Sequence, residues 1–280
     1  MGHKKLSELG LRATAGDDVS VSGLAVDSRL VKEGMLFAAL PGTAVHGGAF
    51  IQYALRMGAS AVLTDAEGAK LAESELAASD AALIVSENPR QVLAYTAALW
   101  FGAQPETMIA VTGTNGKTSV SSFARMIWQE LGLRAVNLGT TGVEGDWSAP
   151  LAHTTPEPIT LHRTLAAASE AGITHAAMEA SSHGLSQYRL DGVQLAAAGF
   201  TNFTQDHLDY HATFEEYFDA KAALFGRVLG DDGVAVINID DPRGPDMAAI
   251  AQKREIEVIS VGRMEGADIQ LTAQRFHGMG

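Results

Sequence analysis

Residues 110–126 read AVTGTNGKTSVSSFARM. The common phosphate-loop pattern G-x-x-x-x-G-K-[ST] needs a glycine five places before Gly116, where this chain carries Val111. Gly113 stands only three places ahead of Gly116. The surroundings nevertheless suit an anion. MIAVTG reads as a buried strand running into a turn, and a helix is expected from about Thr118 to Leu131. Gly113 and Gly116 let backbone N–H groups turn inward without a Cβ clash. The free N–H groups and positive dipole end of the helix then meet at the same point. Lys117 would reach the terminal phosphates of a nucleotide, and the Thr118 hydroxyl would ligate Mg²⁺. The stretch is therefore read as a nucleotide loop in a shortened frame.

Outward from that loop, strands and helices alternate. RAVNLG, THAAMEA, LAAAGFTNF, GVAVINID and EIEVISVG read as strands, with helices near 157–171 and 213–229. This rhythm specifies a mostly parallel sheet covered by helices, with ligands bound at the carboxyl ends of its strands. ADIQLTAQRFHGMG begins a further strand. AQPET (103–107) is the best boundary, so residues 1–103 and 104–280 are expected to form separate domains. In the first, VSGLAVDSR, GMLFAAL, SAVLTD and AALIVS suit short strands. GGAFIQYALRMGA and NPRQVLAYTAALWFG suit helices that end at Gly58 and Gly102. The fold class is α/β.

The chain has 280 residues, no cysteine and a net charge of −13. Disulfides and thiolate metal sites are excluded, and a cytoplasmic setting is expected. The acidity argues against a nucleic-acid partner. No apolar run approaches the ~18 residues of a membrane span, and the amino terminus lacks a secretory pattern.

The loop TGTNGKT resembles that of the Mur ligase family, ATP-dependent enzymes that build the peptide of cell-wall precursors. TTPEP, MEASSHGLSQYR, FTNFTQDHLDYH and EEYFDAKAALF follow in the family's order. VDSRLVKEGMLFAALPG is similar to its uridine-nucleotide domain, and EASSHGL points to the branch that adds the third residue of the peptide. The resemblance implies a small N-terminal domain that binds UDP-MurNAc-L-Ala-D-Glu and a central ATP-binding domain, here incomplete. A C-terminal domain that brings the amino acid, diaminopimelate or lysine, is expected to be missing, and the chain alone is expected to have little ligase activity. A monomer is expected.

By resemblance, Gly113, Thr114, Asn115, Gly116, Lys117, Thr118 and Ser119 hold ATP. Glu179 follows a buried-strand pattern and suits either a Mg²⁺ ligand or a helix cap, and the family assigns it to magnesium. His207 and His211 share the spacing of a zinc helix, but Leu208 stands where a zinc protease carries Glu, so zinc is discounted. The family gives His207 to a second Mg²⁺ or to the γ-phosphate and places Asn202 in the same cluster, while His211 reads as a packing or capping residue. Lys221, among Glu215, Glu216 and Asp219, reads on charge alone as a solvated salt-bridging lysine. The family counterpart is instead an N6-carboxylysine, a carbamate that ligates the second Mg²⁺. His153, Thr154, Thr155, Ser181, Gln187 and Arg189 match substrate positions, and Arg189 suits a carboxylate or phosphate fork. Val26, Ser28, Thr43, Ala44 and Val45 match uridine and pyrophosphate contacts. His46 departs from the acidic residue the family pattern leads one to expect.

The implied chemistry moves the γ-phosphoryl group of ATP to the D-glutamate side-chain carboxylate, and an amine then attacks the acyl phosphate. The alternatives are a phosphate-loop NTPase or kinase that makes no amide, and a non-catalytic nucleotide-sugar-binding module.

Overall fold

The computed structural model describes residues 2–42, 44–204, 210–211 and 213–274. Thr43 and His207, both expected site residues, lie outside the described residues. The chain forms two compact units: 1–103 with 157–163 and 187–192, and the remainder.

In the first unit a short antiparallel pair, β1 (Lys4–Lys5) and β2 (Ser20–Val21), accompanies a four-stranded parallel sheet. The strands β3 (Leu24–Ala25), β4 (Leu36–Ala38), β5 (Ala61–Thr64) and β6 (Ala82–Val85) lie in chain order. Both faces are covered, so the strands read as continuous apolar runs. The side-chain alternation of β4 and β5 splits the core in two. Leu36, Ala38, Ala61 and Leu63 join a cluster with Leu93, Ala97 and Trp100. Phe37, Ala39 and Val62 join the opposite one with Ile51 and Ala54. The helices are α1 (Ile51–Arg56), α2 (Ala66–Leu71), α3 (Glu73–Ala77) and α4 (Pro89–Phe101). Asn88 caps α4 by accepting from the Gln91 N–H at 3.2 Å, and Gly102, at φ 75°, ends it.

His162 is 2% exposed in this unit, its Nε2–H donating to the Asp191 carbonyl at 3.3 Å. Burial pushes its pKa down from 6.5 to about 4. The native state thus refuses a proton that the unfolded chain accepts. The neutral ring is fully tolerated above pH 6.5, and stability drains away as pH falls from there toward 4. The expected loss from this residue is roughly 3 kcal/mol. A His162→Gln protein should show a flatter dependence of unfolding free energy on pH across that window; an unchanged slope would remove His162 as its source.

The second unit is an eight-stranded sheet in the order β14-β13-β12-β11-β7-β10-β8-β9. Its strands are β7 (Thr107–Thr112), β8 (Ala135–Gly139), β9 (Gly142–Gly145), β10 (His175–Glu179), β11 (Ala197–Phe200), β12 (Val234–Asn238), β13 (Glu257–Gly262) and β14 (Ile269–Gln270). All neighbours are parallel except β8 and β9, a tight hairpin through Thr140 and Thr141. The helices are α5 (Lys117–Glu130), α6 (Pro158–Glu170), whose first turns belong to the first unit, α7 (Ser182–Ser186), α8 (Phe214–Ala223) and α9 (Gly244–Gln252). A π-helical turn, Leu224–Val228, continues α8. From β7 the chain first crosses to one side of the sheet, through β8 and β10. It then passes over β7 to β11 on the other side. β7 therefore marks the topological switch point, where ligands bind in such sheets.

Candidate active site

Three adjacent strands, β10, β7 and β11, deliver their following loops to one place. The loop after β7 is tied to the loop after β11. Thr114 N–H donates to the Asn202 carbonyl at 2.8 Å, and Asn115 N–H to Asn202 Oδ1 at 3.0 Å. In return Asn202 Nδ2 and Thr201 Oγ1 donate to the Asn115 carbonyl at 3.0 and 2.7 Å. The approach is so close that a Cβ on Gly113 would stand 1.9 Å from Thr201 Oγ1.

Helix α5 starts at Gly116, φ 88°, with no side-chain cap. Its first N–H groups, which capping side chains often satisfy, thus stand behind an exposed surface at Thr118 and Ser119. Lys117 folds its ammonium over the loop, donating to the Gly113 and Thr114 carbonyls at 3.0 Å each. Together these groups make a concentrated positive site.

Glu179 ends β10 and is 1% exposed. Its Oε1 accepts from Thr118 Oγ1 at 2.9 Å and from Thr140 N–H at 3.1 Å. Gly139 leaves the room it needs, since a Cβ there would stand 2.0 Å from Oε1. Thr118 and Glu179 are hard oxygen donors beside a phosphate site, a set that fits Mg²⁺. Thr155 and Ser181 gather behind them. Thr155 Oγ1 donates to the Glu179 carbonyl at 3.0 Å and accepts from Ser181 Oγ at 3.1 Å, and Thr154 Oγ1 lies 3.1 Å from Thr140 Oγ1. His153 is exposed in the same segment.

Lys221 corrects the expectation drawn from charge alone. It is 1% exposed, far from a solvated salt bridge, and its Nζ donates to the Gly113 carbonyl at 2.7 Å. The ring of Tyr217, one turn earlier on α8, lies 4.4 Å from that ammonium, and its hydroxyl lies 3.3 Å from Thr114 Oγ1. His211 is buried among the rings of Tyr210, Tyr217 and His183. Thr201, Gly139 and Tyr217 escaped the sequence; only the glycine closing NLG could have drawn notice.

The first unit has its own cleft, about 700 Å³, lined by Val26, Ser28, Val45, Phe50 and Tyr53 among others. At its wall Arg29 forks onto Asp27, with contacts down to 2.6 Å, and these hydrogen bonds hold the Asp27 carboxyl down at about 2. Ala44 belongs to the same 41–45 segment. His46, where an acid was expected, works as a clamp. Its Nδ1 accepts from Gly48 N–H at 2.9 Å, which leaves Nε2 to donate to Asp65 at 3.1–3.2 Å. Asp65 in turn caps α2 through Gly68 N–H at 2.8 Å. Gln187 and Arg189 fall in this unit, close to Val26, whereas Thr154, Thr155 and Ser181 fall in the other.

A shortened phosphate loop at a switch point, paired with a buried carboxylate and a preceding small α/β unit, defines a class. The Mur ligase middle domain family matches residues 111–279, and the Mur ligase family, catalytic domain, matches residues 20–100. The chain belongs to the Mur ligase family. Among its relatives, the UDP-N-acetylmuramoyl-L-alanyl-D-glutamate--2,6-diaminopimelate ligase of Rhizobium meliloti is 47% identical over 246 residues, covering 88% of this chain and 49% of the relative. The protein of the same name from Mesorhizobium japonicum is 45% identical over 256 residues, covering 91% and 52%. A solved structure of a ligase of that name superposes with a TM-score of 0.79 at 31% identity, covering 95% of this chain and 54% of that one. The chain spans about half the length of the curated relatives it matches.

Proposed function

We propose that this chain is the nucleotide-sugar- and ATP-binding part of a ligase that joins an amino acid to UDP-MurNAc-L-Ala-D-Glu. Diaminopimelate is the incoming amino acid that the names of its relatives support. One observation carries the ATP half: an uncapped helix start, Lys117 and the Thr118–Glu179 pair all meet beyond β7.

A carboxylate is a poor electrophile, and phosphorylation gives it a leaving group. In that first step two anions approach, so the site must supply positive charge already in place. Lys117 and the first N–H groups of α5 do so without reorganisation. Thr118 and Glu179 would hold one Mg²⁺, and Lys221, as a carbamate, would contribute to a second together with His207. Bound magnesium neutralises charge on the phosphate oxygens. Burial of Lys221 beside the loop supports its place at the reacting end of the nucleotide. In the first unit, Val26, Ser28 and the segment from Thr43 to Val45 would take the uridine diphosphate, while Gln187 and Arg189 would orient the muramoyl peptide. A cytoplasmic setting suits a cysteine-free chain, and among the described residues no helix is long and apolar enough to cross a membrane.

Calorimetry on the 280-residue chain tests this reading. An unreactive ATP analogue should bind only with Mg²⁺ present, and UDP-MurNAc-L-Ala-D-Glu should bind without nucleotide. Heat from neither titration on folded protein would overturn it.

A further inference from the structure

The first unit also holds a smaller chamber of about 260 Å³. Its apolar wall includes Val26 and Leu40, which also line the larger cleft, so the two spaces adjoin. Its polar wall consists of Arg90, Arg189, Gln187 and Glu157. The carboxylate among them is already engaged. Glu157 accepts from the N–H groups of Ile159 and Thr160 at 2.8 Å each, capping the start of α6. Its negative charge is therefore directed at the helix end. Two guanidinium groups line the same confined space.

Each is held by a neighbour. Arg189 donates to Gln187 Oε1 through Nη2 at 2.8 Å and through Nε at 3.3 Å. Arg90, in the first turn of α4, donates from Nη2 to the Pro41 carbonyl. Pro41 opens the segment that leads to Val45 in the larger cleft. Planar forks fixed in this way match oxyanions in both shape and charge. The polar wall of the chamber suits a phosphate or carboxylate group.

We propose that Arg90 and Arg189 together form an oxyanion subsite for the nucleotide-sugar ligand, with Arg90 as a binding residue in its own right. This rests on the nucleotide-sugar reading above. The anion is either the diphosphate or a carboxylate of the D-glutamyl residue, because the lactyl carboxyl of this ligand is already joined to L-alanine as an amide.

Titrations of uridine, UDP and UDP-MurNAc-L-Ala-D-Glu, by calorimetry and ligand-observed NMR, test it on the wild type, Arg90→Gln and Arg90→Lys. Thermal unfolding would confirm that each variant folds. Arg90→Gln should weaken the anionic ligand at least tenfold and leave uridine unchanged, while Arg90→Lys should fall between, keeping charge but losing the fork. A loss already present with UDP identifies the diphosphate; a loss only with UDP-MurNAc-L-Ala-D-Glu identifies the carboxylate. Equal weakening of all three, uridine included, would reduce Arg90 to a loop anchor and overturn the proposal. So would no weakening at all. Inorganic pyrophosphate separates the two readings. Should the wild type bind it in an Arg90-dependent way yet bind no uridine ligand, the subsite stands and the nucleotide-sugar reading falls. If the wild type binds none of these ligands, both fall.

Discussion

A Lys117→Ala substitution, tested in a protein extended to the length of the relatives, is expected to slow the proposed ADP formation at least about a thousandfold, while affinity for UDP-MurNAc-L-Ala-D-Glu stays within about twofold. The first half follows from position. The Lys117 ammonium lies over the loop, bonded to the Gly113 and Thr114 carbonyls, where the terminal phosphates of a nucleotide would settle. Alanine removes a cation held against both carbonyls and puts nothing in its place. The second half follows from the proposed division of labour, because the cleft proposed for the uridine nucleotide is lined by first-unit residues such as Ser28 and Tyr53. A coupled assay for ADP and a separate calorimetric titration read the two halves independently. Near-normal turnover would show that charge at this position does not drive phosphoryl transfer.

Gly113→Ala should damage the site by a different route. At φ 139° an alanine is strained before it meets any neighbour, and its Cβ would stand 1.9 Å from Thr201 Oγ1. Thr201 must move, which breaks its 2.7 Å bond to the Asn115 carbonyl and slackens the loop. The expected cost is about 2–4 kcal/mol of stability, with a hundredfold or greater loss of Mg²⁺-nucleotide affinity. Adding Thr201→Ala relieves the collision but not the torsion. The double variant should therefore recover part of the stability and little of the affinity, a non-additive pair. Urea unfolding and analogue binding on the four proteins complete the cycle. Wild-type affinity in Gly113→Ala would rule out this loop conformation.

Much of this architecture was legible because its signals are local. Helix α5, expected from about Thr118 to Leu131, runs from Lys117 to Glu130, and the apolar runs chosen as strands of the large sheet all appear. Elements with mixed or short patterns were not legible. AEGAKLAESELA contains two brief helices, α2 and α3, and PRGPDMAAIAQ supplies α9 despite its glycine and proline. The four-residue β9 depends on a hairpin pairing that no periodicity announces. At the site, Gly113 and Lys117 stand out within a motif. Thr201 and Tyr217 matter only through contacts across about ninety or a hundred positions of chain, which spacing cannot reveal. Lys221 shows the limit most clearly. Its acidic helix neighbours suggest water, whereas the packing of α8 against the loop buries it.

The bonds from Asn202 and Thr201 also explain how a loop can lack the usual leading glycine. Its curvature is imposed from outside, by the strand next door, and is not stored in its own torsions alone. Such a loop is no portable cassette. Grafted onto another sheet without the TN pair of the adjoining strand in the same stagger, it would carry its lysine and threonine yet collapse to some other shape. A slip of one residue between those two strands would unmake it in place.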